Sequence, residues 1–349
     1  MEERIGILAD DLTSAADGAA PFVAQGHRAV IGRLAVPSDD HSVVATDSES
    51  RSMLPSDASA HVARLAAQLA SRTILYKTVD STLRGHVRIE LEAAFQASGR
   101  RTLVFAPAFP AAGRTTVRGV QLVDGVPVTE SVYGRDPVHP ARHSRLADLV
   151  PSGIGSVIIL DAATQEELEV QVAALPDPGS ILWVGSPGMA AALAARFGPA
   201  TVPSVSAPAA DGDILVAIGS ANPRSHRQAD AIDGDRGITV LRAPLARADD
   251  PAGVLDQIAQ NAVDRLTGGG FGAVIATGGD TMEAILDRLR VSAFEILREI
   301  EPGFPLGRAV LDDGRQLLLA MKAGGFGDDQ ALARAIAQLR PNEPAQVSP

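Results

Sequence analysis

Lysine is nearly absent from this chain: Lys77 and Lys322 stand alone against 29 arginines in 349 residues. A lysine ammonium is a compact point charge with three donors, suited to phosphate or carboxylate, whereas arginine presents a planar fork. Both lysines open Gly- and Asp-rich segments, which points to an enzyme that handles anions. Cysteine is absent altogether, excluding disulfides, thiolate metal sites and cysteine nucleophiles. Aromatics make up only 3%, too few for a stacking platform on single-stranded nucleic acid. A net charge of −11 argues against nucleic acid and anionic membranes as partners. It leaves open a small anionic substrate, which answers to the local field of a cleft. No apolar run approaches the roughly 20 residues of a membrane helix. Met1-Glu2-Glu3-Arg4 leads into an apolar strand without a signal-peptide pattern, so a cytoplasmic enzyme is expected.

What is present is an alternation of short apolar runs with longer Ala-rich amphipathic stretches, the pattern of βα units and mostly parallel sheets. Strands are predicted at 5–9, 29–32, 73–76, 102–106, 157–160, 181–184, 213–218, 237–241, 273–276 and 317–320. Helices are predicted at 14–25, 58–71, 85–97, 165–174, 188–195, 224–232, 252–266, 281–289 and 329–339. The segment 198–213, with Pro199, Pro203 and Pro208 among small residues, reads as a linker. The tail 341–349 reads as frayed. Two α/β domains follow, 1–200 and 212–340, each a mostly parallel sheet flanked by helices, with the active site expected in the cleft between them.

Parallel α/β sheets place function beyond the carboxyl ends of their strands, and the polar motifs fall there. Asp10 and Asp11 follow the first strand; a pair of acids can accept substrate hydroxyls, act as a general base or bind a metal. Capping of the following helix would explain one of them equally well. Lys77-Thr78-Val79-Asp80-Ser81-Thr82-Leu83-Arg84-Gly85 also follows a strand and leads into a helix. Ser81 or Thr82 could be a cap, but Lys77, Asp80 and Arg84 then need another reason, and a carboxylate-binding, hydroxyl-reading site supplies one. In Thr46-Asp47-Ser48-Glu49-Ser50-Arg51, Arg51 is a candidate second cation. Arg114 could reach the cleft, although a rigid surface turn explains its Pro-rich loop more simply.

The second half carries three glycine turns after strands: Gly219-Ser220-Ala221, Gly278-Gly279-Asp280-Thr281 and Lys322-Ala323-Gly324-Gly325-Phe326-Gly327-Asp328. Such turns bring backbone N–H groups close to phosphate oxygens. Three together, one with a lysine, make nucleotide phosphates the best reading. No G-x-x-x-x-G-K-[ST] run, no G-x-G-x-x-G after the first strand and no H-E-x-x-H occurs. His139 and His143 read as structural, and Ser186 as a helix cap.

Taken together, the motifs resemble those of the four-carbon acid sugar kinase family, over residues 5–18, 77–86, 105–137, 277–287 and 301–328. The resemblance implies ATP-dependent phosphorylation of the terminal hydroxyl of a sugar acid such as threonate, erythronate or 3-oxo-tetronate. It implies a sugar-acid site formed by Asp10, Asp11, Arg51, Lys77, Asp80 and Arg84; of the two adjacent acids, Asp10 and Asp11, one is expected to read a hydroxyl and the other, Asp11 in preference, to orient or deprotonate the attacking hydroxyl. ATP with Mg²⁺ would be held by Ser220, Gly278, Gly279, Asp280, Thr281, Lys322, Gly324 and Gly325, Asp280 meeting the metal through water. The stretch between Ser220 and Gly278 looks shorter than the family's by some tens of residues. A sugar-acid-binding protein, or another sugar-acid enzyme, with a trimmed ATP domain is the alternative. A homodimer is compatible with the sheets, but no interface is legible.

Overall fold

The computed structural model describes residues 3–38, 41–136, 138–198, 208–220, 222–244 and 250–340. Most of the predicted linker, the predicted tail and Ala221 lie outside these residues. The chain divides into two compact units, residues 1–202 and 203–349.

In the first unit the elements run β1 (Ile5–Ala9), α1 (Leu12–Ala24), β2 (Ala29–Arg33), β3 (Val43–Asp47), α2 (Pro55–Leu69), β4 (Ile74–Thr78), α3 (Val87–Ser98) and β5 (Thr102–Ala106). Then come β6 (Arg114–Val117), β7 (Val120–Val123), β8 (Val126–Pro127), β9 (Val157–Ile159), α4 (Gln165–Ala174), β10 (Ile181–Gly185) and α5 (Pro187–Phe197). The main sheet has the order β2-β3-β1-β4-β10-β5-β9, with every pairing parallel. β1, β2, β3, β4 and β10 are buried at every position. Period-2 strands buried on both sides require helices over both faces, which is why their sequences read as unbroken apolar runs. Helix α1 packs on α5, α5 on α4, and α2 on α3.

The second unit contains β11 (Asp213–Ile218), α6 (Pro223–Asp230), β12 (Ile238–Arg242), α7 (Pro251–Thr267), β13 (Phe271–Thr277) and α8 (Gly279–Arg288). It continues with β14 (Ala293–Glu301), β15 (Phe304–Val310), β16 (Gln316–Lys322) and α9 (Ala331–Leu339). The order is β12-β11-β13-β16-β15-β14. The β12, β11, β13 and β16 pairings are parallel, whereas β14–β15 and β15–β16 are antiparallel. Ile214, Val216, Ile275, Leu306, Leu318 and Ile336 anchor its core.

Three features were not anticipated as strands. β3 follows a loop of polar residues and shows only a short apolar start. β6–β8 form a small antiparallel sheet inside what reads as a Pro-rich loop. The β14–β15 hairpin alternates apolar and charged residues, as in Phe294, Glu295, Ile296, because one side of an antiparallel strand can face water.

Candidate functional site

Because the first unit's sheet is parallel, the loops after β1, β3, β4 and β5 emerge at one edge. After β1, Asp10 is 3% exposed. Its Oδ2 accepts from Arg51 Nε at 2.8 Å and lies 2.7 Å from a terminal guanidinium nitrogen; its Oδ1 is buried with no hydrogen-bond partner among the described residues. Asp11 caps α1, Oδ1 accepting from the Ser14 backbone N–H at 2.6 Å, and also pairs with Arg51. Capping and site readings are therefore both satisfied by this residue. Burial raises the Asp11 carboxyl pKa, Arg51 opposes the shift, and neighbouring Asp10 adds to it. Burial alone would weaken the Arg51 guanidinium, but Asp10, Asp11 and Asp80 hold it protonated well above its ordinary range.

The loop after β4 lies against this cluster. A Cβ placed on Gly85 would come within 3.4 Å of Arg51 Cγ and 3.7 Å of Asp10 Oδ2. Asp80 accepts from Arg84 Nε at 2.6 Å, from the other side of that fork at 3.2 Å, and from the Thr82 hydroxyl. Burial pushes the Asp80 carboxyl up, but Arg84, then Arg51 and Thr82, hold it well below the carboxylate range. Arg84 also reaches Asp136 at 3.5 Å and lies 5.4 Å from the centre of the Tyr133 ring.

Lys77 requires correction as a substrate-facing cation. It is 0% exposed, its Nζ lying 2.7 Å from Glu90 Oε2 and donating to the Thr78 carbonyl at 2.8 Å. Glu90 in turn accepts from Ser50 Oγ at 2.8 Å; Ser50 meets Ser48 Oγ at 2.9 Å, and Ser48 donates to the Ala9 carbonyl at 2.6 Å. The lysine's charge is thus met by Glu90, and through Ser50 and Ser48 it is tied to the turn that carries Arg51. Sequence reasoning missed Glu90, although the signal was there: on α3 it shares one face with Val87, Leu91 and Ala94, all buried, at helical spacing. Asp47, Tyr133 and Asp136 were also missed. Asp47 is 0% exposed; Oδ1 accepts from the Glu49 N–H at 2.8 Å and Oδ2 has no partner among the described residues. Burial holds its carboxyl well above the usual range against the Glu49 N–H, with the charge of Asp11 adding to the rise.

In the second unit β11, β13 and β16 are neighbours, so the three glycine turns stand side by side. A Cβ on Gly219 would overlap Thr281, and one on Gly324 would overlap Ser220; only glycine permits these close approaches. The Gly278 N–H donates to the Lys322 carbonyl at 2.9 Å. Ser220 Oγ accepts from the Asn222 N–H at 3.2 Å. Helix α6 holds the third turn by its carbonyls: Ser225 Oγ donates to Gly324 O at 2.8 Å, Arg224 to Gly325 O at 2.9 Å, and Gln228 to Phe326 O at 3.1 Å. Planarity of the peptide turns the N–H groups of Gly325, Phe326 and Gly327 away from those donors, that of Phe326 donating to the Ala323 carbonyl at 3.0 Å. Thr281 is corrected: it is buried, its hydroxyl donating to Thr277 O at 3.2 Å and its N–H to Gly278 O at 3.2 Å, so it braces the turn. Gly279 and exposed Asp280 form the first turn of α8.

Lys322 differs from Lys77 in one respect. It is 1% exposed, yet Nζ donates only to the carbonyls of Ala323 at 3.1 Å and Gly324 at 3.4 Å, with no acid partner among the described residues. Burial, aided by the charge of Arg224, pushes its ammonium down to about 8.

Comparison with known proteins follows the same division. Residues 5–155 match the family model described as a sugar-binding N-terminal domain, and residues 248–332 one described as a nucleotide-binding C-terminal domain. A D-threonate kinase of Bordetella bronchiseptica is 31% identical over 404 residues, covering 96% of this chain and 97% of the relative. A 3-oxo-tetronate kinase of Pseudomonas fluorescens is 26% identical, covering 96% and 97%. A solved Haemophilus influenzae protein shares the fold, with a TM-score of 0.76 at 21% identity, covering 96% of this chain and 100% of that one. The 404-position alignment exceeds the 349 residues of this chain, so at least 55 positions are filled by the relative alone. With 31% identity to the D-threonate kinase over nearly the whole of both chains, and with the two domain models matched in order, the chain belongs to the four-carbon acid sugar kinase family.

Proposed function

We propose that this protein transfers the γ-phosphoryl group of ATP to the terminal hydroxyl of a four-carbon sugar acid of the threonate, erythronate or 3-oxo-tetronate class. The observation that carries this reading is Lys322, an ammonium buried beside three glycine turns with no acid among the described residues to neutralise it. A buried charge without a partner is costly, and nucleotide phosphates are the anions that this lysine and the Gly324–Gly325 turn suit. Ser220, Gly278 and Gly279 complete the cradle.

In the first unit, the Asp10–Arg51–Asp11 and Asp80–Arg84 pairs offer acceptors for hydroxyls, held in place by charge. Asp11 is the group assigned to orient and deprotonate the attacking hydroxyl: its side chain is 23% exposed against 4% for Asp10, and its raised pKa suits a base. Phosphoryl transfer depends mainly on positioning and charge neutralisation. Asp280, exposed on the first turn of α8 beside the glycines, fits a Mg²⁺ bound chiefly by phosphate oxygens, since Mg²⁺ keeps several waters and takes one or two carboxylates. Bound there, Mg²⁺ would neutralise charge on the phosphates.

The test is ADP release from Mg-ATP over D- and L-threonate, D- and L-erythronate, 3-oxo-tetronates and a few five-carbon acids. Turnover confined to a four-carbon acid is expected. Turnover only with longer acids, or with none, overturns the proposal.

A further inference from the structure

Arg51, Arg84, Lys77 and Arg114 stand on or beside the strand-end loops of the first unit, and three of these four have acids. Arg51 holds Asp10 and Asp11, Arg84 holds Asp80 and Asp136, and Lys77 holds Glu90. Arg114 does not. It opens β6, its backbone fixed by paired hydrogen bonds with Phe109 of 2.8 and 3.1 Å. Its guanidinium donates to the Ala112 carbonyl and, at 2.7 Å, to the Tyr133 hydroxyl. Among the described residues Nε is buried without a partner, and no carboxylate meets this side chain.

The Tyr133 ring adds a second constraint. The Arg114 guanidinium carbon lies 5.5 Å from the ring centre and that of Arg84 lies 5.4 Å from it. Two guanidinium groups against one ring repel each other, and each cation–π contact offsets that repulsion only in part. Arg84 is neutralised by Asp80. The arrangement leaves one unit of positive charge uncompensated, on a planar fork with donors to spare, joined through Tyr133, Arg84 and Asp80 to the hydroxyl-reading acids.

We infer that Arg114, positioned by Tyr133, binds the carboxylate of the sugar acid and sets the preference for an acid over the corresponding neutral polyol. The inference rests on the sugar-acid reading given above, and reassigns the carboxylate from Lys77, Arg51 and Arg84, whose charges are taken by protein acids. A carboxylate on Arg114 would leave the hydroxyl-bearing carbons for Asp80, Asp10 and Asp11. Arginine suits this task because its fork takes a carboxylate through two parallel hydrogen bonds.

Titration calorimetry without nucleotide tests this apart from turnover, using D- and L-threonate, D- and L-erythronate, threitol and erythritol as probes. Wild-type protein is expected to bind one acid far more tightly than its polyol. Arg114→Gln should weaken acid binding by about 10- to 100-fold, as expected for loss of a hydrogen bond to a charged group, and leave polyol binding within about twofold. Arg114→Lys, which keeps the charge and loses the fork, should fall between them and serves if the glutamine variant does not fold. An unchanged acid-to-polyol ratio in either folded variant overturns the inference, whatever the turnover. Acid binding lost in Arg114→Gln, in a wild-type protein that releases no ADP, supports the inference and sinks the kinase reading instead.

Discussion

At the scale of single residues, the two lysines divide the chemistry of the chain between them. Lys77 has its counter-charge inside the protein; Lys322 lacks one and is the group from which an anion is inferred. This difference gives Lys322 a pH signature. Its folded pKa of about 8 lies below the ordinary value of 10.5, so between those values the unfolded chain holds the proton that the folded chain has released. Its contribution to stability therefore rises with pH across that window. Nucleotide binding runs the other way, because phosphate requires the protonated form. Mg-ATP affinity should fall as pH passes about 8, and Lys322→Met should flatten that part of the profile as well as weakening binding. Calorimetry between neutral pH and pH 9.5 checks this; a wild-type affinity that stays level would remove Lys322 from the phosphate site.

At the scale of elements, the Lys77–Glu90 pair links β4 to α3, and Ser50 and Ser48 carry the link to the end of β1. Breaking a buried pair by removing one partner leaves an uncompensated charge, a loss of roughly 3–5 kcal/mol, whereas replacing both by apolar groups is often neutral. Lys77→Met should therefore unfold at markedly lower urea than wild type, and Lys77→Met/Glu90→Met should recover most of the loss. Recovery of stability need not restore activity, since Ser50 loses the acceptor that holds the turn bearing Arg51. A double variant no more stable than Lys77→Met would show that the pair is not an isolated ionic unit. The glycine turns make the complementary point: Gly219 and Gly324 are fixed by the side chains of Thr281 and Ser220, so the cradle is set by packing between neighbouring turns.

At the scale of the whole molecule, at least 55 positions of the alignment with the Bordetella relative are filled by that relative alone, and the alternative to be tested against a kinase is a sugar-acid binder without nucleotide turnover. Ligands that bind the folded state raise its melting temperature by mass action. The kinase reading expects separate upward shifts with a four-carbon acid and with Mg-ATP. A shift with the acid alone would decide for the binder.

Much of this was legible in the chain. β1, β5 and β11 are short apolar runs ended by polar loops, and their bounds coincide with those expected. Asp10, Asp11, Asp80 and Arg84 were legible because a polar cluster at the end of an apolar strand has few structural explanations. The β14–β15 hairpin and β6–β8 were not, since short alternating strands resemble loops until their partners are known. Thr281 was misread because a threonine at a helix start can face a ligand or its own strand, and only the packing of Gly219 decides which.

The sequence by itself determined where the charges stand along the chain and that they gather after apolar strands, because strand periodicity and turn chemistry act over a few residues. Only the tertiary structure decided which charges cancel. Lys77 and Glu90 are 13 residues apart and Arg51 and Asp10 are 41 apart, and desolvation makes each pairing obligatory only after the fold has brought them together. That cancellation is what leaves Arg114 and Lys322 as the two cations to which ligands are assigned.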